Sequence, residues 1–164
     1  MNKEHPKNVM ERICYRTMQP GEEKDICALI RAVFDKLVAP DFNDEGIKEF
    51  YRFANPVSMA ERSTLGSFVF LALRYEKIVG MIEFMPPDRI ALLFVDYRGH
   101  GIARELLARA IIKVQEEQPN VSFISVHSSP YAVIAYERLG FVVTGEKTME
   151  HGITYIPMKL KVSP

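Results

Sequence analysis

The stretch DYRGHGIARELL, Asp96 to Leu107, joins the end of an apolar, strand-like run to an amphipathic segment through a turn with two glycines and an arginine. The apolar residues after the turn, Ile102, Leu106, Leu107, Ala110, Ile111 and Val114, recur at helical spacing, with Arg104, Glu105, Arg109 and Lys113 between them. The turn therefore stands at a helix N-terminus, where unpaired backbone N–H groups and the helix dipole attract an anion. Gly99 and Gly101 let a ligand come close to the backbone, and Arg98 and Arg104 add charge-assisted donors. The helix end alone favours an anion by about 0.3 to 2 kcal/mol. The ligand indicated is a phosphate or pyrophosphate.

Two common phosphate sites do not fit these residues. A Walker A loop needs Lys and then Ser or Thr after its last glycine, and Ile102 and Ala103 follow here. A dinucleotide fingerprint needs glycine or alanine where Arg104 stands, and it follows the first strand of a parallel unit.

The strands before the turn are not of that kind. Residues 67–75 (SFVFLALRY), 77–84 (KIVGMIEF) and 89–96 (RIALLFVD) are separated by so few residues that they must pair antiparallel, since a parallel crossover needs a dozen or more. Upstream, 11–18 (ERICYRTM) reads as a first strand. Ile26, Leu29, Ile30, Val33, Phe34 and Leu37 then mark a helix ended by Pro40. A second helix starts near Asn43 and ends before Pro56, and 56–66 reads as a loop of little periodicity. Downstream come a strand at 121–127 (VSFISVH), a short helix from Pro130 to Leu139, and two strands, FVVTGEK and TYIPMKLKV. The expected fold is a single α/β domain over 1–164, with a mixed, mostly antiparallel sheet of six to seven strands and four helices.

Composition narrows the class of function. The 21 Lys plus Arg balance 21 Asp plus Glu, which removes the electrostatic argument for nucleic acid or an anionic membrane as partner. No apolar run approaches the ~20 residues that span a bilayer. Two cysteines, Cys14 and Cys27, and a polar start, MNKEHPKN, without the apolar core of a signal peptide point to a reducing cytoplasm. His5, His100, His127 and His151 lack paired metal spacing, so no metal is expected. Monomer and homodimer both stay open.

The segment RGHGIA resembles the Q/R-x-x-G-x-G/A loop of the GNAT superfamily of acyl-CoA N-acyltransferases, with Arg98, Gly101 and Ala103 on the defining positions. SSPYAVIAYERLGF (128–141) is similar to that superfamily's second motif, and the order of strands and helices matches over nearly the whole chain. The resemblance implies an acetyl-CoA-dependent N-acetyltransferase acting on a small amine or a protein amino group, with acetyl-CoA as acyl-donor cosubstrate. It implies a gap between the fourth and fifth strands whose unpaired backbone groups accept the pantetheine arm. Counting back from Arg98 puts Ala91, Leu92 and Leu93 on that strand, and the pyrophosphate on the amides of Gly99, His100, Gly101, Ile102, Ala103 and Arg104. His100 is most simply exposed to solvent. Val95 stands where relatives often carry proline.

Forming an amide from a thioester needs a neutral amine, whereas an alkylamine with a pKa near 10.4 is mostly protonated at neutral pH, and the departing thiolate benefits from a proton donor. Tyr136 matches the family's tyrosine general acid, and a backbone N–H near Leu93 would steady the carbonyl oxygen as it gains charge. Without the surrounding motif, Tyr136 would be read as core. Ser129 stands where many relatives carry a CoA-contacting asparagine, but before Pro130 it reads first as a helix cap. Ile124 occupies the position of the glutamate base of some relatives and cannot serve as one. His127 is a candidate for touching the acceptor or relaying its proton, against a purely structural role; Glu83 and Asp96 are weaker candidates, read first as solvated or capping charges. The acceptor side offers Phe42, Phe50, Tyr51 and Phe53 with Asp41, Asp44, Glu45 and Glu49, which by themselves assign no substrate. The competing class is a non-catalytic acyl-CoA-binding regulatory module.

Overall fold

The structure, a computed structural model, describes residues 12–163. His5, the N-terminal stretch MNKEHPKN and Glu11 of the expected first strand lie outside the described residues. Eight strands and five α-helices follow in the order β1 (Cys14–Thr17), α1 (Glu23–Leu37), α2 (Asp44–Phe53), α3 (Pro56–Thr64), β2 (Phe68–Arg74), β3 (Lys77–Met85), β4 (Arg89–Val95), α4 (Ile102–Glu117), β5 (Phe123–Ser128), α5 (Val133–Arg138), β6 (Val142–Val143), β7 (Thr148–Glu150) and β8 (Ile153–Lys161). Short 3-10 turns at Ala39–Asp41 and Pro130–Ala132 lead into α2 and α5. The fold class is the expected α/β single-domain architecture, with one more strand and one more helix than the upper expectation.

The sheet runs β1-β2-β3-β4-β5-β8-β6, with β7 pairing β8 off that path. Strands β1 to β4 are antiparallel, as the short β2–β3 and β3–β4 connections require for those pairs, and Tyr75 and Glu76 make the β2–β3 turn with positive φ at both residues. Only β4 and β5 are parallel, joined by the α4 crossover. Along β3, Ile82 and Phe84 face a core shared with Leu106 and Ala110 of α4, whereas Met81 faces a second core shared with Ile26, Ile30 and Val33 of α1. The period-2 alternation of the strands thus supports helices on both faces. No helix among the described residues is long and apolar enough to cross a membrane.

Two expectations about the secondary structure are corrected. Residues 56–64, expected as loop, form α3. Asn55 accepts a hydrogen bond from the Ser58 backbone N–H at 3.0 Å, and Pro56 takes the first helical turn, where its missing N–H is harmless. The same Pro that ends α2 therefore starts α3. The expected strand FVVTGEK is paired only at Val142–Val143, and the chain forms β7 further on, before a tight turn at His151 and Gly152, both with positive φ.

Glu83 is not a solvated charge. It is 0% exposed on the α3 side of β3, where it accepts from Arg62 Nε at 2.8 Å and Nη2 at 2.9 Å. Arg62 also donates to the Phe53 carbonyl at 2.7 Å and lies over the Phe53 ring. With both oxygens held by one guanidinium, Glu83 fastens α3 to the sheet and is unsuited to proton transfer. Asp96 is exposed just past β4, with its backbone N–H donating to Val79.

Candidate active site

The parallel pair β4–β5 is joined in register only at Arg89 with Ser125 and Ile90 with Val126. Beyond Ile90 the strands part. Between them opens a cavity of about 880 Å³, lined along β4 by Ala91, Leu92, Leu93, Phe94 and Val95 and along β5 by Val126 and His127. β4 stays paired with β3 as far as Val95, so valine in place of proline leaves the strand end intact.

At one end of the cavity lies the turn before α4. Arg98, Gly99, Gly101, Ile102, Ala103 and Arg104 all line it. Gly101 begins the helix at φ 69°, a conformation that favours glycine, and no side chain caps the helix start, so its first N–H groups are open to a ligand. A Cβ added at Gly99 or Gly101 would meet nothing within 4 Å, which is the room a diphosphate needs against the backbone. Arg98 donates to the Tyr131 hydroxyl at 2.6 Å and Arg104 to the Arg138 carbonyl at 2.9 Å, tying the start of α4 to the turn before α5 and to the end of α5. His100 does not line the cavity; its ring stacks on Tyr97 at 3.8 Å.

Tyr136 also lines the cavity and is 8% exposed, with its ring edge-on to Phe141 at 5.3 Å. Burial pushes its phenol well above the ordinary tyrosine range, so it keeps its proton throughout neutral pH. Ser129 lines the cavity while its hydroxyl accepts from the Ala132 backbone N–H at 3.2 Å, the capping role read from Ser129–Pro130.

Around His127 stands a group the sequence did not reveal. Its Nδ1 accepts from Arg89 at 2.8 Å, its ring stacks on Tyr155 at 4.0 Å, and Tyr155 donates to Glu150 at 3.1 Å. Arg89, Glu150 and Tyr155 all line the cavity. A guanidinium only donates, so the neutral imidazole carries its proton on Nε2. Desolvation first, and then the Arg89 charge, lowers the His127 pKa. His127 is thus set up as a hydrogen-bond donor, and acting as a base at Nδ1 would require Arg89 to let go.

The far wall comes from α1, the turn after it and α2. Phe42, Glu49, Phe50 and Phe53 line the cavity, joined by Val33, Phe34, Leu37 and Val38 of the preceding helix and turn. Tyr51 donates instead to Asp35, outside the cavity, and Asp41, Asp44 and Glu45 do not line it. The glycine contact that brings α2 to this position was not legible either. A Cβ on Gly46 would lie 2.3 Å from the Gly152 carbonyl oxygen, and one on Gly152 would lie 2.7 Å from the Gly46 nitrogen. This backbone contact sets Glu49, one turn along α2, and Glu150, two residues before Gly152, on the same cavity. The HG turn ahead of TYIPM is the local signal that could have located β7 and Glu150.

Among the described residues no group of His, Cys, Asp or Glu could hold a metal ion. The arrangement offers an anion cradle, an unpaired strand edge, a buried phenol and a carboxylate-bearing apolar wall in one continuous space.

Comparison with known proteins agrees with this fold. The chain superposes on the GCN5-related N-acetyltransferase from Rhodopseudomonas palustris with a TM-score of 0.77 at 20% identity, covering 94% of this chain and 99% of that one. It matches the PaiA N-acetyltransferase from Thermoplasma acidophilum, solved in complex with coenzyme A, with a TM-score of 0.75 at 18% identity over 92% and 99% of the two chains. An acetyltransferase of the GNAT family from Staphylococcus aureus Mu50 gives 0.71 at 16% identity over 93% and 100%. No curated protein sequence matches significantly. Residues 38–162 match the family model described as acetyltransferase (GNAT) domain, and the chain belongs to the GNAT acetyltransferase family.

Proposed function

We propose that the protein transfers an acetyl group from acetyl-CoA to a primary amine by direct attack of the amine on the thioester, with Tyr136 as general acid. One observation carries this reading: β4 and β5 pair at two positions and then part, leaving a cavity that joins the open N-terminus of α4 to Tyr136. The acceptor is a small molecule or a protein amino group, and both cysteines are free thiols, in keeping with a reducing cytoplasm.

Acetyl-CoA supplies an activated acetyl group as a thioester. The amides of Gly99 and of Gly101 to Arg104 hold the diphosphate, with Arg98 and Arg104 beside it, and the edge at Ala91, Leu92 and Leu93 aligns the pantetheine arm as an added strand would. The backbone N–H near Leu93 donates to the acetyl oxygen as charge develops. The acceptor enters as a neutral amine, its first proton having gone to solvent. Its nitrogen forms the new C–N bond as the C–S bond breaks. Tyr136 gives its proton to the departing sulfur and is reprotonated with the second proton lost by the nitrogen, so the chain ends the cycle unchanged.

Tyr136→Phe removes one oxygen and keeps the ring against Phe141. It should lower kcat by about 10²- to 10⁴-fold, the range of a lost general acid, with CoA affinity unchanged by calorimetry. Unchanged turnover would remove Tyr136 from that role. CoA binding without turnover of any amine is the behaviour of a regulatory acyl-CoA-binding module and would overturn the enzymatic reading.

A further inference from the structure

We propose that the acceptor is a monoamine with an apolar body about the size of an aromatic ring, a primary aralkylamine or an alkylamine of similar bulk, seated on the α1–α2 wall with its amino group held by Glu49 and Glu150. This proposal rests on the amine N-acetyltransferase reading and narrows it.

The wall opposite the α4 turn is almost entirely carbon. Phe34 and Phe50 stack at 3.7 Å with their planes 4° apart, and Phe42 meets Phe34 edge-on at 5.5 Å. Phe50 also stands edge-on to Phe94 of β4 at 6.0 Å, so the aromatic surface runs up to the strand that would align the pantetheine arm. Phe42 and Phe50 are both half-buried in the cavity. Rings held in this way offer apolar faces and edges to a bound ring at little entropic cost.

Polar groups on this side are few. Among the described residues, Glu49 and Glu150 are the only carboxylates lining the cavity. Among the described residues Glu49 has one ion-pair partner, Arg52, at 3.7 Å with a side chain 80% exposed, which leaves its oxygens largely free for a ligand cation. Glu150 accepts one hydrogen bond, from Tyr155. The cations that line the cavity lie mostly at the other end: Arg98, Arg104 and Arg138 surround the α4 turn, and Arg89 is engaged with His127. Two carboxylates against the one Arg89 charge on this side leave a place for one positive centre.

The same features select against other amines. A polyamine would lay its further charges along the phenyl rings, where an ammonium loses water and finds no carboxylate. A peptidyl lysine would press its backbone amides on the same rings without hydrogen-bond partners. An apolar monoamine leaves no such group unsatisfied.

The test is a matched acceptor panel with the full chain at saturating acetyl-CoA, read by release of free CoA: 2-phenylethylamine, hexylamine, spermidine and Nα-acetyl-lysine amide. The apolar monoamines should exceed the other two in kcat/KM by about tenfold or more, the scale at which an apolar pocket discriminates. Phe42→Ala and Glu49→Gln should each raise KM for 2-phenylethylamine by about fivefold or more with kcat little changed, the sign of lost ground-state binding, while CoA affinity stays as in the wild type. Spermidine or the lysine derivative used as well as 2-phenylethylamine would overturn the proposal and leave amine acetylation standing. No amine acetylated, with CoA bound, would overturn both.

Discussion

With Nδ1 accepting from Arg89 and its ring lying on Tyr155, His127 is held neutral with its remaining proton on Nε2. Removal from water opposes a positive charge on the ring, and the Arg89 guanidinium 2.8 Å away opposes it further, so the imidazole titrates below its ordinary 6.5. Arg89→Gln removes the nearby charge and leaves the desolvation. The His127 midpoint, followed by proton NMR, should therefore start below 6.5 in the wild type and move up in the variant. A midpoint that stayed in place would show that Arg89 has no electrostatic hold on the ring. His127 was singled out from sequence because a histidine, with an ordinary pKa near 6.5, ends the strand expected beside the thioester. Its partners were not, because Arg89 starts the strand next to it in space and Tyr155 lies 28 positions on; only the pairing of β5 with both β4 and β8 brings them together.

At the level of elements, α3 shows how one buried ion pair fastens a helix that buries little apolar surface. The helix buries few apolar side chains, Met59 chief among them, and is fastened by Arg62 to Glu83. Removing one partner of such a pair leaves the other charge buried and costs about 3 to 5 kcal/mol. Glu83→Ala should lower the unfolding free energy by that amount in urea titrations, and a loss below about 1 kcal/mol would mean that α3 is held by packing alone. The strands β2 to β4 and helix α4 were legible because each carries a full period of apolar residues between clear breaks. Helix α3 was not, because a proline after an asparagine serves equally as a stop or as a start, and the periodic content of nine residues is too small to decide. The start of α2 near Asn43 was read from the same chemistry, because Pro40 had already ended α1 before it, and Asn43 caps it by accepting from the Gly46 backbone N–H at 2.7 Å.

For the whole molecule, the sheet carries one core on each face and splits between β4 and β5, and every functional statement depends on that split. The antiparallel half of the sheet and the phosphate turn could be read locally. The shape of the acceptor wall could not, since it depends on Gly46 meeting Gly152, more than a hundred positions apart, with no local pattern to announce the contact. The split itself is tested most directly by titrating CoA into the full chain by calorimetry and thermal shift, with ATP and NAD in parallel. One CoA should bind per chain and, at a hundredfold excess over its Kd, raise Tm by about 5 to 10 °C, while ATP and NAD leave it within about 1 °C. Absence of CoA binding, or equal stabilisation by all three, would contradict the account.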